Sequence, residues 1–195
     1  MPRRKRPLRI VLTGGPGGGK STVAELFQKE LGKECVLVQE AATVVFSVGF
    51  PRADHAGAQR NCQRAIYYLQ KNMEDAHAQV TSAKFIVCDR GTLDGAAYWP
   101  GGPTRFLKDM RTSYRAELSR YDAVIFLETA AVGGIAVRGG NNPHRFETVE
   151  EARALDRRVR RVWDRHKNFV LIPHEESFQS KLSVSLAALF RLIGR

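Results

Sequence analysis

The chain has 195 residues, a formal net charge of +11 and a hydrophobic content of 43%. It is long enough to bury the core of one domain, and no apolar run reaches the ~18 residues that a membrane-spanning helix needs. The lack of such an apolar run predicts a cytoplasmic protein. Neither the five histidines nor Cys35, Cys62 and Cys88 show metal-ligand spacing, so we expect no zinc site and reduced cysteines. The positive charge is concentrated at the N-terminus and in residues 138–167, which favours a polyanionic partner.

Predicted strands and helices alternate along the sequence. Residues 1–7 combine charge with two prolines and predict a disordered basic arm, followed by one domain over residues 8–195. Short apolar runs predict strands at residues 8–13, 35–38, 84–88, 123–127 and 169–172. Helices are predicted at residues 20–31, 41–48, 58–80, 92–99, 104–120, 148–167 and 175–193. This alternation predicts an α/β fold, in which helices cover both faces of a five-stranded parallel sheet.

Two of these helices carry more detailed expectations. In the helix over residues 58–80, apolar residues recur at spacings of four and three, at Cys62, Ile66, Leu69, Met73, Ala76 and Val80. This pattern predicts a narrow stripe that faces the core, with Gln70 beside it. In the helix over residues 104–120, Thr104 is expected to act as the N-cap.

A glycine-rich stretch joins the first predicted strand to the first predicted helix. Residues 14–21 read Gly-Gly-Pro-Gly-Gly-Gly-Lys-Ser and match G-x-x-x-x-G-K-S/T, the phosphate-binding P-loop. Its glycines allow backbone N–H groups to turn towards an anion, and the helix adds its positive N-terminal end. Lys20 would reach the β- and γ-phosphates, and Ser21 would bind Mg²⁺. We expect the triphosphate of ATP to contact Gly15, Pro16, Gly17, Gly18, Gly19, Lys20, Ser21 and Thr22.

Charged residues follow three of the predicted strands. Asp89 ends an apolar run in the pattern of a Walker-B aspartate, which predicts a second ligand for Mg²⁺. Glu40 is expected to hold an acceptor hydroxyl or take its proton, and Arg90 to bind an anionic substrate or the transferred phosphoryl group. Asp94 is either a substrate contact or an acid that favours the start of a helix. For Glu128 we expect a structural role.

The segment over residues 130–146 has the composition of a lid. Glycines and other small residues would act as hinges, and Arg138 and Arg145 would be the charges that closure brings to the phosphates. Arg138 is therefore a candidate catalytic residue together with Lys20, and both arginines are candidate nucleotide-binding residues. A flexible surface loop is the alternative.

Several motifs resemble those of a known family. The first two are Gly14–Thr22 and Glu40-Ala41-Ala42. The third runs from Asp89 to Asp94 and is followed by Ala97-Tyr98. The fourth comprises Glu150 to Arg153, Leu155-Asp156, Trp163 and His166. Over about residues 8–175 the chain is similar to the AAA-domain P-loop family that includes the nicotinamide riboside kinase domain of NadR and the TRP-channel translocation-defect protein. The resemblance implies a nucleoside-kinase-type sheet, ATP or GTP with Mg²⁺, and, as in the kinase members, γ-phosphoryl transfer to a small hydroxyl substrate. It places Lys20 and Ser21 at the phosphates and metal.

Three functions are compatible with these features. The first is a kinase that transfers the γ-phosphoryl group of ATP to a hydroxyl of a small, nucleoside-like acceptor. The basic arm and residues 138–167 make nucleic acid an alternative partner, and a polynucleotide 5′-hydroxyl kinase an alternative enzyme. A nucleotide-dependent switch that binds a partner or an anionic membrane is the non-enzymatic alternative. ATP is favoured over GTP because no guanine-reading N-K-x-D motif is evident.

Overall fold

The sheet has the architecture that the sequence predicts. The computed structural model describes residues 6–52, 54–135 and 148–195. Its strands are β1 Leu8–Thr13, β2 Cys35–Val38, β3 Phe85–Asp89, β4 Ala123–Leu127 and β5 Phe169–Ile172. All neighbouring strands pair in parallel, in the order β2-β3-β1-β4-β5. The predicted α/β fold with a five-stranded parallel sheet is therefore confirmed.

Eight α-helices are present in the described part of the chain. They are α1 Lys20–Leu31, α2 Ala41–Ser47, α3 Ala56–Val80, α4 Asp94–Tyr98, α5 Gly102–Asp109, α6 Tyr114–Leu118, α7 Val149–Trp163 and α8 Phe178–Ile193. A short 3₁₀-helix over Gly32–Glu34 precedes β2, and another over Ala130–Gly133 follows β4. Among these described residues, no helix combines the length and the apolar character needed to cross a membrane.

Each strand of the sheet packs residues on both faces. On one face Val11, Ile86 and Val124 pack in a core that also contains residues of α3 and α7. On the other face Ile10 and Val87 belong to a second core, built with α1 and α8. Alternate residues of one strand point to opposite faces, so both faces are apolar, as expected of a parallel sheet covered by helices.

The strand register brings the predicted site residues to one edge of the sheet. Leu12 of β1 lies opposite Asp89 of β3 and Ile125 of β4. Because all the strands run in the same direction, the P-loop after β1 and Arg90 after β3 leave the sheet side by side. The sheet thus positions the P-loop next to the charged residues that follow β3.

The predicted helix over residues 104–120 is wrong in two respects. It is divided into α5 and α6, because Arg111 has φ of 51°, which does not continue a right-handed helix. The hydroxyl of Ser113 then accepts a hydrogen bond from the Ala116 amide at 3.2 Å and caps the second helix. Thr104 is not an N-cap: Gly101 occupies that position of α5, with a proline in the first turn.

Helices α7 and α8 are also shorter than predicted, and so, by one to three residues, are α2 and α4. The capping box at Thr148 and Glu151 forms, but α7 ends at Trp163 rather than at residue 167. Beyond this end, the ring of His166 bonds to the Tyr121 carbonyl at 3.0 Å, a contact made outside the helix. Helix α8 begins at Phe178 rather than at residue 175, because the Ser177 hydroxyl accepts a bond from the Ser180 amide at 3.4 Å.

The core-facing stripe predicted for α3 is only partly correct: Cys62 is buried and Met73 packs against the core, but Ala76 and Val80 are exposed. The buried residues of this helix are Cys62, Tyr67, Gln70 and Glu74. Val80, the last residue of the predicted stripe, is 76% exposed. Polar side chains replace apolar ones on the inner face because they have buried hydrogen-bond partners in neighbouring elements, which sequence periodicity does not register.

Some predictions fall outside the described residues. Arg138, Arg145 and most of the predicted lid lie within residues 136–147, and residues 1–5 include most of the predicted basic arm. Arg6, at the end of that arm, donates two hydrogen bonds to the carboxylate of Asp122, at 2.8 and 2.9 Å.

Candidate active site

The P-loop packs directly against the end of β4. Gly14 has φ of 136°, and a Cβ at this position would lie 2.1 Å from the Leu127 carbonyl oxygen. A Cβ at Gly18 would lie 2.6 Å from the same oxygen. Both positions therefore require glycine, because real Cβ atoms do not approach a backbone oxygen so closely. The loop is therefore held closely against the sheet.

Asp156 of α7 supports the start of the P-loop. Its Oδ1 accepts hydrogen bonds from the Gly15 amide at 2.8 Å and from the Thr129 amide at 3.1 Å. The Thr129 hydroxyl donates in turn to the Pro16 carbonyl. Burial raises the pKa of Asp156, while the bonds from the two amides oppose the shift. Because its amide is engaged, Gly15 shapes the loop here, and the inward-facing amides would come from later residues.

The remaining predicted P-loop residues lie around this turn. Lys20 is buried, and its Nζ donates to the Gly15 carbonyl at 2.6 Å, so the ammonium group lies across the loop. Pro16 borders the cavity described below. Gly17 and Gly19 have positive φ, and Thr22 is exposed in the first turn of α1. The aromatic ring of Phe178 in α8 covers the loop, 2.6 Å from where a Cβ on Gly19 would be.

Ser21 and Asp89 form a pair of oxygen donors beside the loop. The Ser21 hydroxyl donates to Asp89 Oδ2 at 2.6 Å. Asp89 Oδ1 is buried and has no hydrogen-bond partner within the described chain. Burial raises the pKa of Asp89, although the Ser21 hydroxyl opposes the shift. A hydroxyl and an unsatisfied carboxylate oxygen are the ligands that Mg²⁺ prefers, so these two residues fit the predicted metal.

The protein supplies only part of such a coordination shell. Nowhere in residues 6–52, 54–135 and 148–195 do three or more His, Cys, Asp or Glu side chains form a group that could hold a metal ion. Mg²⁺ in nucleotide-binding sites is bound through one or two protein groups, with phosphate oxygens and water completing its shell.

Arg90 lies between two carboxylates at the mouth of the site. Its Nε donates to Glu40 Oε1, and one terminal nitrogen donates to Asp94 Oδ2 at 2.9 Å. The Thr43 hydroxyl donates to the other Glu40 oxygen at 2.6 Å. Burial by itself would raise the pKa of Glu40, but Arg90, the Thr43 hydroxyl and Lys20 outweigh it and lower the pKa to about 2. Glu40 is therefore ionised at neutral pH.

Asp94 is a buried residue that connects three elements. Besides the bond from Arg90, its Oδ1 accepts hydrogen bonds from the Thr13 hydroxyl and from Trp163 Nε1, both at 2.7 Å. The carboxylate thus joins β1, α7 and the Arg90 side chain. These contacts favour a role in positioning Arg90, and the predicted contact of Asp94 with substrate stays a prediction.

Gln70 of α3, which sequence analysis did not select as a site residue, holds the Arg90 backbone and is itself bound by Glu74. Gln70 Nε2 donates to the Arg90 carbonyl at 3.1 Å and to Glu74 Oε1 at 3.0 Å. On the other side, the Arg90 amide donates to the Leu12 carbonyl at 2.9 Å. The only sequence signal of this role was the position of Gln70 beside the predicted apolar stripe.

A second set of missed residues supports the loop after β3. The Glu117 carboxylate, 2% exposed, accepts hydrogen bonds from the hydroxyls of Tyr67 at 2.7 Å and Thr92 at 2.6 Å. The Tyr121 hydroxyl accepts from the Thr92 amide at 2.8 Å and donates to Glu74 Oε1 at 2.8 Å. This buried polar cluster fixes the segment that carries Arg90.

A cavity of about 230 Å³ opens between the P-loop and the Glu40–Arg90 pair. The residues that line it include Pro16, Glu40, Phe46, Tyr67, Arg90 and Tyr98. A lining that combines aromatic and aliphatic side chains with charged and hydrogen-bonding groups is typical of small-molecule sites. In contrast, Glu128 lies outside this lining: its Oε2 accepts a hydrogen bond from the His174 amide at 2.9 Å, in agreement with the structural role expected for it.

Comparisons with known proteins agree with this fold. Thymidylate kinase from Candida albicans is 14% identical, with a TM-score of 0.66 over 97% of this chain and 93% of that one. Deoxyadenosine kinase from M. mycoides, solved with bound dATP, is 15% identical, with a TM-score of 0.60 over 93% of this chain and 98% of that one. No curated protein sequence matches the chain.

A family model described as AAA domain matches residues 9–181. The match includes the P-loop, the Glu40–Arg90 pair and Asp156, and the narrower resemblance to the NadR and translocation-defect proteins stays a prediction. The chain belongs to this AAA-domain family and is a P-loop NTPase with a nucleoside-kinase-like fold.

Proposed function

We propose that this protein is a kinase that transfers the γ-phosphoryl group of ATP to a hydroxyl of a small, nucleoside-like acceptor. The observation that carries the proposal is the arrangement of Glu40 and Arg90, which border a cavity next to the P-loop. A nucleotide-dependent switch needs the loop but has no need of a second cavity with an ionised carboxylate. The kinases of nucleosides and nucleotides among the similar structures support the same proposal.

The proposed reaction requires little acid–base chemistry from the protein. The acceptor hydroxyl oxygen bonds to the γ-phosphorus, the bond from this phosphorus to the β–γ bridging oxygen breaks, and ADP leaves. Phosphoryl transfer passes through a loose transition state, so positioning and charge stabilisation dominate. With a pKa of about 2, Glu40 is a weak base that orients the hydroxyl and accepts its proton only as the new bond forms.

The positive groups of the site would stabilise the transferred charge. Lys20 lies across the P-loop, where it would neutralise the β- and γ-phosphates, and Arg90 lies on the acceptor side. Ser21 and Asp89 would hold Mg²⁺, which supplies further neutralisation of the phosphates. Arg138 and Arg145 remain proposed phosphate contacts of a lid. ATP is the proposed donor, and GTP would be distinguished by direct competition.

Lys20→Ala tests the donor side of this mechanism. Loss of the ammonium group should lower kcat by a factor of roughly 10²–10³ or more, because a charge contact made in the transition state is lost. The measurement is ATP consumption against a panel of nucleosides and sugars. Stimulation of ATP consumption by one acceptor in the wild-type protein supports a kinase. Uniform basal ATP hydrolysis across the panel would contradict a kinase.

The matched control is Lys29→Ala, which removes a lysine from the exposed side of the same helix. Its kcat should equal that of the wild type, and the thermal midpoint of each variant should show that it is folded. Full activity in Lys20→Ala would exclude the proposed donor site.

A further inference from the structure

A larger groove adjoins the acceptor cavity. Its volume is about 830 Å³, against about 230 Å³ for the cavity. Four residues line both spaces: Phe46, Arg52, Gln63 and Tyr98. They form the boundary between the two, so a molecule whose hydroxyl lies beside Glu40 can extend past them into the groove. The cavity and groove together are larger than a small hydroxyl substrate needs.

One side of the groove is positively charged. Arg158 and Arg161 of α7 line it, three residues apart and therefore on one face of the helix. Both side chains are exposed, and neither forms an ion pair with an acid of the described ranges. Among the lining residues, these two arginines and Arg52 face a single acid, Asp54. The groove therefore attracts an anion.

Most of the remaining groove lining is apolar, with Gln59 and Gln63 as the polar exceptions. Tyr98, Pro100 and Pro103 line it, and the Arg52 guanidinium lies 3.6 Å from the centroid of the Phe46 ring at the boundary with the cavity. Flat rings beside guanidinium groups suit a base or sugar that carries a phosphate, because arginine binds phosphate in a planar, bidentate manner. Apolar lining and paired arginines thus favour an amphipathic, phosphate-bearing occupant.

We propose that the groove binds a phosphate group of the acceptor itself. This inference rests on the proposed function, in which the acceptor is nucleoside-like. If its 5′-hydroxyl lies beside Glu40, the phosphate in the groove is attached on the opposite side of the sugar, at the 3′ oxygen. The substrate class is then a 5′-hydroxyl nucleotide with a 3′-phosphate, either as a monomer or as the first unit of an oligonucleotide. The γ-phosphoryl group is added to the 5′ oxygen, and the 3′-phosphate is unchanged.

The test compares acceptors that differ only in this phosphate. ATP consumption is measured with each of the four common nucleosides, with its 3′-monophosphate, and with a 5′-hydroxyl dinucleotide. The 3′-monophosphate or the dinucleotide should have kcat/KM at least about tenfold above the nucleoside, through lower KM. A preference for the monomer or for the dinucleotide identifies which source of the phosphate is used. Equal kcat/KM for nucleosides and phosphorylated acceptors would overturn the proposal.

The double variant Arg158→Gln/Arg161→Gln tests whether the preference for a 3′-phosphate depends on the two groove arginines. The double variant should lose the preference for the 3′-phosphate, with KM for the 3′-monophosphate raised roughly tenfold or more and with a much smaller change in kcat/KM for the plain nucleoside. The control is Arg157→Gln/Arg160→Gln, which removes the same charge from exposed positions of the same helix that do not line the groove. If both double variants lose the preference for the 3′-phosphate to the same extent, the preference reflects general positive charge, and the proposed subsite is overturned.

A binding measurement separates this proposal from the kinase proposal. Titration calorimetry with adenosine and with adenosine 3′-monophosphate reports the subsite without turnover. Selective binding of the 3′-monophosphate that depends on Arg158 and Arg161, with no phosphoryl transfer to any acceptor, would contradict the kinase and retain the subsite. Equal binding of the two compounds would overturn the subsite, whether or not the protein is a kinase.

Discussion

Arg90 combines several unfavourable features that are typical of a functional residue. Its φ is 73°, in the left-handed region that non-glycine residues rarely adopt, and its side chain is buried between two carboxylates. Such a backbone costs on the order of 1–3 kcal/mol and persists only where neighbours hold it. Here the Leu12 carbonyl binds the Arg90 amide and Gln70 binds the Arg90 carbonyl. These contacts hold the guanidinium at the cavity.

Glu40→Gln tests the charge of the partner carboxylate. The folded-state pKa of Glu40 is lowered from 4.5 to about 2, so its ionisation stabilises the fold above pH 4.5 and this contribution is lost as the pH falls towards 2. We expect the variant to be less stable than wild type by about 3 kcal/mol at pH 7 and by roughly half as much at pH 3. Urea denaturation across this pH range measures the difference.

The same variant should lower kcat and leave ATP affinity intact, since Glu40 is on the acceptor side. Glu25→Gln, at an exposed position of α1, is the control, and its stability should stay within about 0.5 kcal/mol of wild type at every pH. A stability difference for Glu40→Gln that is independent of pH would show that the carboxylate charge is unimportant. Reduced ATP affinity would place Glu40 on the donor side instead.

At the scale of single elements, α3 departs most from its predicted role. Its inner face carries Gln70 and Glu74, and the latter binds Arg120 at 2.8 Å from a side chain with 0% exposure. These residues connect the helix to the Arg90 backbone and to the segment before β4. An amphipathic helix that only filled the core would have placed apolar residues there, so α3 acts as a support of the site as well as a cover of the sheet.

Glu74→Ala and Val80→Ala distinguish the observed face of α3 from the predicted stripe. Removing the Glu74 carboxylate takes one buried hydrogen-bond partner from each of Arg120, Gln70 and Tyr121, and should destabilise the protein by about 3–5 kcal/mol. Val80 is 76% exposed, so its truncation should change stability by less than about 0.5 kcal/mol. The measurement is the free energy of unfolding in urea at neutral pH. A larger loss of unfolding free energy for Val80→Ala than for Glu74→Ala would instead support the predicted apolar stripe.

At the scale of the whole molecule, nucleotide binding should stabilise the fold. The P-loop contacts β4, α7 and α8 at once, through Leu127, Asp156 and Phe178. A ligand at one hundred times its Kd contributes about 2.7 kcal/mol, which for a domain of this size corresponds to a rise of roughly 5–10 °C in Tm. We expect this rise with ATP and Mg²⁺ together, in a thermal melt followed by circular dichroism.

Asp89→Asn should remove the part of this rise that depends on Mg²⁺, because the amide is a poorer metal ligand than the carboxylate. Asp164→Asn, an exposed position at the end of α7, is the matched control and should behave as wild type. A rise in Tm that is the same with and without Mg²⁺, or that persists in Asp89→Asn, would contradict the assignment of Ser21 and Asp89 as metal ligands.

The sequence by itself determined the five strands and the position of the P-loop. Short β-branched runs and the glycine spacing are local properties, so these predictions depended on few long-range contacts. It also placed Glu40, Asp89 and Arg90 at strand ends, where parallel register brings them to one edge of the sheet.

Only the tertiary structure decided how these residues are held. Glu40 and Arg90 are 50 residues apart in the chain, and Gly15 and Asp156 are 141 apart. Burial of Gln70, Glu74 and Asp156 is favourable only because each finds a hydrogen-bond partner on another element. Hydrophobic periodicity does not contain that information, so it predicted an apolar inner face for α3 and did not identify the residue that supports the P-loop. Local patterns specified the loop and the sheet, and long-range polar contacts arranged the site.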